Sequence, residues 1–180
     1  MMTTIEINCP PSKAFRYLTD PTLFPEWQSD VVRVRMDSGA PSTVGATFTT
    51  VRMVGGAERE MRQRISECVT PIRWSSVGLS GPIRAAATIA IEPFDDGRKS
   101  RVTFTLDLKG QGMGVALLPL VRRQAEKAAP VSYRRAKANL ETANLETQDT
   151  AGARPHRSGP VGRSSGGPSA QQPDDAEEPA

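Results

Sequence analysis

The stretch that decides the fold is RVTFTLDLKGQGMGVALLPLVRRQAEKAAPVSYRRAKANLE, residues 101–141. Its first eight residues have apolar side chains at every second position: Val102, Phe104, Leu106 and Leu108. This two-residue period predicts a strand with one face in the core. From Gly114 to about residue 146, apolar residues recur at helical spacing: Leu117, Leu120, Val121, Ala128, Val131 and Leu140. A long helix is expected there, kinked or split at Pro130, and we expect it to cover the apolar face of a sheet.

Six earlier segments also carry strand patterns, at residues 4–9, 31–36, 46–54, 59–65, 72–76 and 83–92. In the second of them, Val32, Val34 and Met36 share one predicted face. Two short helices, at residues 12–18 and 22–27, separate the first strand from the second. Sheets with one apolar and one polar face are antiparallel and covered on one side. The chain therefore predicts an α+β domain with a seven-stranded antiparallel sheet.

The composition changes at Thr147, after which Val161 is the only large aliphatic residue. Such a segment buries too little apolar surface to offset its conformational entropy. We expect a domain over residues 1–146 and a disordered tail over residues 147–180. The tail holds three Arg and five acidic residues and so has a charge of −2. Since the whole chain has a net charge of +3, the body has a charge of +5. The cations of the body are spread along the chain, and no nucleic-acid binding is predicted.

Several classes of chemistry are missing from the body of the chain. The only histidine, His156, lies in the tail, and Cys9 and Cys68 have no metal-ligand spacing. We therefore predict no metal site, no cofactor and no imidazole catalysis. The cysteines are expected to be reduced thiols of a cytoplasmic protein, with a single disulfide between them as the alternative. No signal peptide is recognised, and the most apolar run, residues 113–121, is too short for stable membrane insertion.

Longer phrases carry a family resemblance: CPPSKAFRYLTDPTLFPEW (9–27), VGATFTTV (44–51), ECVTPIRW (67–74), RVTFTLDL (101–108) and ALLPLVRRQAEKAAPVSYRRAKANLE (116–141). Together they resemble the SRPBCC superfamily, also called START-like, and within it the polyketide cyclase/dehydrase-like branch. The resemblance covers residues 2 to about 146. It implies the helix-grip fold, a curved antiparallel sheet wrapped around a long C-terminal helix. Its members include lipid and hormone binders, quinone-binding proteins, aromatase/cyclases and co-chaperones, so the fold alone does not choose a function.

The resemblance also implies a cavity between sheet and helix, which the small Ala85 and Ala87 on one strand support. The candidate ligand-binding residues are those predicted to line it: Trp27, Arg59, Met61, Gln63, Trp74, Ala87, Phe104, Leu117, Val121 and Gln124. Among them, Arg59, Gln63 and Gln124 are polar groups on predicted inner faces. A buried polar group without a partner costs about 1–3 kcal/mol. These three should therefore meet each other, water, or the keto, phenol or carboxylate group of a ligand.

The function expected from these residues is binding of a hydrophobic or amphiphilic small molecule, such as a lipid, a quinone or a polyketide. One alternative is a polyketide cyclase or dehydratase, which needs an acid or base facing the ligand. Glu60 and Asp107 alternate onto the outer face, so no catalytic residue is assigned and an enzyme is the less favoured reading. Another alternative is an interaction protein with a filled core. The sequence identifies no protein partner.

Overall fold

A computed structural model describes the fold over residues 1–152 and the side chains over residues 1–146. Strand β1 (Met2–Ile7) is followed by helix α1 (Pro11–Thr19), a 3₁₀ turn (Pro21–Leu23) and helix α2 (Phe24–Trp27). The remaining strands are β2 (Val31–Ser38), β3 (Thr47–Val54), β4 (Ala57–Val69), β5 (Arg73–Gly78), β6 (Ile83–Phe94) and β7 (Lys99–Gly110). Helix α3 (Gly114–Gly152) closes the described chain.

The seven strands form one antiparallel sheet in the order β1-β7-β6-β5-β4-β3-β2. Strands β2 to β7 follow each other as a meander, and β1 pairs with β7 at the far side. This open antiparallel sheet with a long C-terminal helix confirms the helix-grip fold predicted from the sequence. Register shifts interrupt β2 between Val31 and Arg33 and β4 between Ile65 and Glu67. Such bulges bend a strand and increase its twist.

The shift in β2 corrects one prediction. Val31 is buried, at 7% exposure, and Val32 is 44% exposed. Val32 therefore does not share the inner face with Val34 and Met36, which pack against the core. The extra residue at a bulge moves the side chains before it to the opposite face of the sheet.

The second half of α3 holds the helix on the domain. Ala136 and Leu140 are buried in the core. Polar side chains add further bonds: Lys137 Nζ donates to Glu6 O (2.7 Å), and Asn144 Nδ2 donates to Asn8 O (2.9 Å). The helix is continuous through Pro130, so of the two predicted effects of this proline, a kink or a split, the split does not occur. It runs to Gly152, past the predicted domain end at residue 146, and the rest of the predicted disordered tail lies outside the described residues.

The first half of α3 is covered less completely. Its start lies so close to the turn between β5 and β6 that a Cβ on Gly114 would clash with the carbonyl group of Pro82, which glycine avoids. Leu117 and Leu120, which were predicted to cover the sheet, are 46% and 56% exposed. Leu120 lies about 100° around the helix from Val121 and so points away from the cavity side of α3. Leu117 lies one turn before Val121 on nearly the same side, so its exposure shows that the sheet covers the first turn of α3 less than the next one.

Candidate ligand-binding cavity

A cavity of about 170 Å³ lies between the inner face of the sheet and α3, and it is partly open to solvent. Its two walls carry small side chains opposite each other. Ala85 and Ala87 project from β6, and Ala125, Ala128 and Ala129 line it from α3. Because alanine leaves the inter-element space unfilled, these five residues explain why a void exists here. The expectation that Ala85 and Ala87 would leave room agrees with this geometry.

Aromatic side chains form the deep wall of the cavity. Phe24, Trp27, Trp74 and Phe104 are each 5% exposed or less. The Phe104 and Tyr133 rings are stacked, with centroids 4.2 Å apart and planes 15° apart. The ring centroids of Trp27 and Phe104 are 5.9 Å apart, and Phe24 packs edge-on against Trp74 with ring centroids 6.0 Å apart. This wall is apolar, and its ring faces and edges are suited to a planar ligand.

Two polar atoms in the aromatic wall have no partner. The indole Nε1 atoms of Trp27 and Trp74 are buried and make no hydrogen bond within the described part of the chain. Buried Trp N–H groups normally find an acceptor, and an unsatisfied buried donor costs about 1–3 kcal/mol. Both side chains line the cavity. Neither Nε1 atom has accessible surface in this structure, so an acceptor on a molecule in the cavity would pair with it only after a small shift of the indole ring.

A short polar network crosses the sheet side of the cavity. Ser76 Oγ donates to Gln63 Oε1 (3.3 Å), and Gln63 Nε2 donates to Thr50 Oγ1 (3.2 Å). All three residues are 7% exposed or less. Thr50 Oγ1 in turn donates to Met61 O at 3.5 Å. The amide of Gln63 is thus paired with side chains on the neighbouring strands, and Gln63 is held in one orientation at the cavity wall.

Charged groups line another part of the cavity. Arg52 Nη1 donates to both carboxylate oxygens of Asp30, at 3.0 and 2.9 Å, and its Nη2 donates to Gln28 Oε1. The side chains of Arg52 and Asp30 are only 20% and 21% exposed. Sequence reasoning missed this pair because Asp30 lies between helix and strand and the inner face of β3 was ambiguous. The pair is neutral as a whole, so it adds polarity to the cavity without a net charge.

Eight of the ten predicted site residues line the cavity: Trp27, Met61, Gln63, Trp74, Ala87, Phe104, Val121 and Gln124. Leu117 is not among the described lining residues and is largely exposed. Arg59 is exposed and also lies outside the lining. Residues 58, 59 and 60 are all exposed, which means that both faces of β4 are open to solvent near its hairpin end.

The three predicted polar groups are therefore not brought together. Gln124 Oε1 accepts from Gly55 N at 2.9 Å, and its Nε2 donates to Met53 O. Both ends of this amide are bound to the β3–β4 hairpin, so Gln124 ties α3 to the sheet. Glu60 and Asp107 are exposed on the outer face, as predicted.

Tyr133 gives the cavity a measurable pH signature. Burial raises the pKa of its phenol to about 12, above the value of about 10 expected in the unfolded chain. The folded protein thus holds this proton more tightly, so stability is full below pH 10 and falls as pH rises from 10 to 12. We expect urea unfolding to show this decline, and absorbance at 295 nm to show no tyrosinate from Tyr133 at pH 10.

The matched variant is Tyr133→Phe, in which the free energy of unfolding should fall less between pH 10 and pH 12. The remaining alkaline decline should include Cys9, because burial raises the pKa of its thiol to about 11. An unchanged decline in Tyr133→Phe would show that this phenol is not buried as described.

Comparisons with known proteins agree with this architecture. Residues 1–143 match the family described as polyketide cyclase/dehydrase and lipid transport. No curated protein matches the chain significantly in sequence. No helix in the described part of the chain is long and apolar enough to cross a membrane.

Solved structures share the fold at low identity. A START superfamily protein from Mycobacterium smegmatis is 12% identical with a TM-score of 0.64, covering 79% of this chain and 97% of its own. The Zhui aromatase/cyclase from Streptomyces sp. R1128 is 11% identical with a TM-score of 0.67, covering 78% of this chain and 92% of its own. These similarities show the fold, and the match of the family model shows membership. The chain belongs to the polyketide cyclase/dehydrase and lipid transport family, with a START-like fold.

Proposed function

We propose that this protein binds a neutral hydrophobic or amphiphilic small molecule that presents a hydrogen-bond acceptor, such as a ketone or quinone oxygen. The observation that carries the proposal is the cavity of about 170 Å³ with its aromatic wall and two unpartnered indole N–H groups. Apolar ligand surface would supply most of the free energy, at about 25 cal/mol per Å² before ordering costs. The N–H groups would orient the ligand.

The volume limits the part of the ligand that enters. An engineered apolar cavity of about 150 Å³ binds benzene, whereas pockets for drug-sized ligands span about 300–1,000 Å³. The cavity of about 170 Å³ therefore fits one ring or a short branched chain. A lipid or polyketide would place one end inside and extend through the open side.

The charges favour a neutral ligand. Asp30 and Arg52 pair with each other. The other charged side chain in the described lining is Arg62, whose Nε lies 3.5 Å from Asp37 Oδ2 on the outer side of the sheet. Burying an ionised group without a partner is costly. A carboxylate ligand would have to displace Asp30 from Arg52 to be paired.

The indole N–H groups supply a direct test. The chain has two tryptophans, and both line the cavity, so a ¹H–¹⁵N spectrum contains two indole cross-peaks. Acetophenone and ethylbenzene have nearly the same shape and differ in one carbonyl oxygen. We expect both to perturb the cavity, acetophenone to bind more tightly, and its binding to shift at least one indole N–H signal downfield.

Trp27→Phe and Trp74→Phe serve as matched variants, because phenylalanine keeps an aromatic wall and removes the N–H. At least one should lose the preference for acetophenone while still binding ethylbenzene. Benzoate, the charged analogue, should bind more weakly than acetophenone. If neither acetophenone nor ethylbenzene binds at millimolar concentration, the proposed function is wrong.

The second candidate function is an enzyme, since a carboxylate and a guanidinium, those of Asp30 and Arg52, both line the cavity. Catalysis at a poly-keto chain needs an acid or base free to move a proton. Arg52 occupies both oxygens of Asp30, which supports binding over catalysis. The cavity also argues against a filled-core interaction protein. The free cysteines support the cytoplasmic location that forms part of this proposal.

A further inference from the structure

The loop before α3 and its first turns expose an unusual amount of apolar surface. Met113, Val115, Leu117 and Leu120 are 87%, 61%, 46% and 56% exposed. We call these four residues the helix-start patch. Singly exposed apolar residues are common on protein surfaces, whereas larger exposed apolar areas mark sites of interaction. The four large residues of the patch lie within eight positions of the chain.

The charges around the patch select the kind of surface that it meets. Residues 110–121 contain no charged side chain. The exposed cations Lys109, Arg122 and Arg123 stand on either side, and no acidic residue occurs between Asp107 and Glu126. Apolar side chains with cationic neighbours are typical of segments that adsorb to anionic membrane surfaces.

The patch lies beside the cavity. Val121 and Gln124, in the next turn of α3, line the cavity, and so does Leu108 at the end of β7. Leu120 lies about 100° around α3 from Val121, so it points to the flank of the helix and not to the sheet. A surface that covered the patch would therefore meet the protein next to the cavity without filling it.

We propose that the helix-start patch docks the protein reversibly on an anionic lipid bilayer. The apolar side chains enter the boundary between headgroups and acyl chains, and Arg122, Arg123 and Lys109 contact the phosphates. Docking of this kind is peripheral, because the patch spans too few residues to cross a bilayer. The proposal does not depend on which ligand the cavity takes.

The test is co-sedimentation of the full chain with vesicles of phosphatidylcholine alone or of phosphatidylcholine with phosphatidylglycerol in equal parts. We expect binding to the anionic vesicles, weaker binding in 0.5 M salt, and at least tenfold weaker binding to phosphatidylcholine. Met113→Ser combined with Leu120→Ser should weaken anionic binding at least tenfold. Arg122→Gln combined with Arg123→Gln should weaken it and reduce the salt dependence.

Leu145→Ser is the matched control, since Leu145 is 62% exposed near the other end of α3 and outside the patch. It should bind vesicles as the unchanged protein does, and thermal unfolding should show that all variants are folded. No binding of the unchanged protein to anionic vesicles would overturn the proposal. So would an equal loss in Leu145→Ser, or patch variants that change only self-association in sedimentation velocity, which would assign the patch to a protein interface.

Discussion

Ala128→Phe is expected to lower the affinity for acetophenone at least 100-fold while leaving the protein folded. Ala128 lines the cavity from α3, and the opposite wall is formed by the small residues Ala85 and Ala87. A phenyl group at position 128 would occupy much of a space of about 170 Å³. Ligand and side chain would then exclude each other. A 100-fold loss corresponds to about 2.7 kcal/mol of binding free energy.

The matched control is Ala138→Phe, because residue 138 is an exposed alanine on the same helix and outside the cavity lining. Its affinity for acetophenone, measured from the same ¹H–¹⁵N titration, should stay within twofold of the unchanged protein. Thermal unfolding should show both variants folded, with Ala128→Phe destabilised by no more than the 1–3 kcal/mol typical of overpacking. Equal affinities in the two variants would place the ligand elsewhere.

Leu140→Ala is expected to lower the free energy of unfolding by about 2–5 kcal/mol, the usual cost of truncating a buried leucine. Leu140 is 3% exposed and packs in the core beneath the second half of α3. Leu120→Ala, on the same helix, removes the same atoms from a side chain that is 56% exposed. Its free energy of unfolding should change by no more than about 0.5 kcal/mol.

Urea unfolding followed by circular dichroism measures both leucine variants under one condition. The pair tests where the helix is anchored, since the two substitutions are chemically identical. A larger loss from Leu120→Ala than from Leu140→Ala would mean that the first half of α3 packs more tightly than described. It would also remove the exposed surface on which membrane docking depends.

The regular elements could be predicted because each has one apolar face. Val102 and Phe104 alternate with polar neighbours, and both are buried. The aromatic wall followed from the same rule, since Trp74 and Phe104 lie on the inner sides of their strands. Ala85 and Ala87 indicated the empty space, because small residues at inner positions leave volume that neighbours must fill.

The missed features depend on contacts that periodicity does not encode. Arg52 lines the cavity because its charge is paired with Asp30 from a distant part of the chain. Arg59 follows the inner alternation of β4 and is still exposed, because the strand extends beyond its cover. Leu117 carries a helical signal that is correct for the element, but periodicity along one helix does not show how far the sheet extends beneath its first turn.

The most direct test of ligand binding in this cavity is a structure of the protein from crystals grown with acetophenone. We expect density for the ring between α3 and β6, in contact with Ala87 and Ala128, with the carbonyl oxygen within hydrogen-bonding distance of a tryptophan Nε1. A cavity closed by meeting side chains, with any density confined to the outer surface, would contradict this expectation.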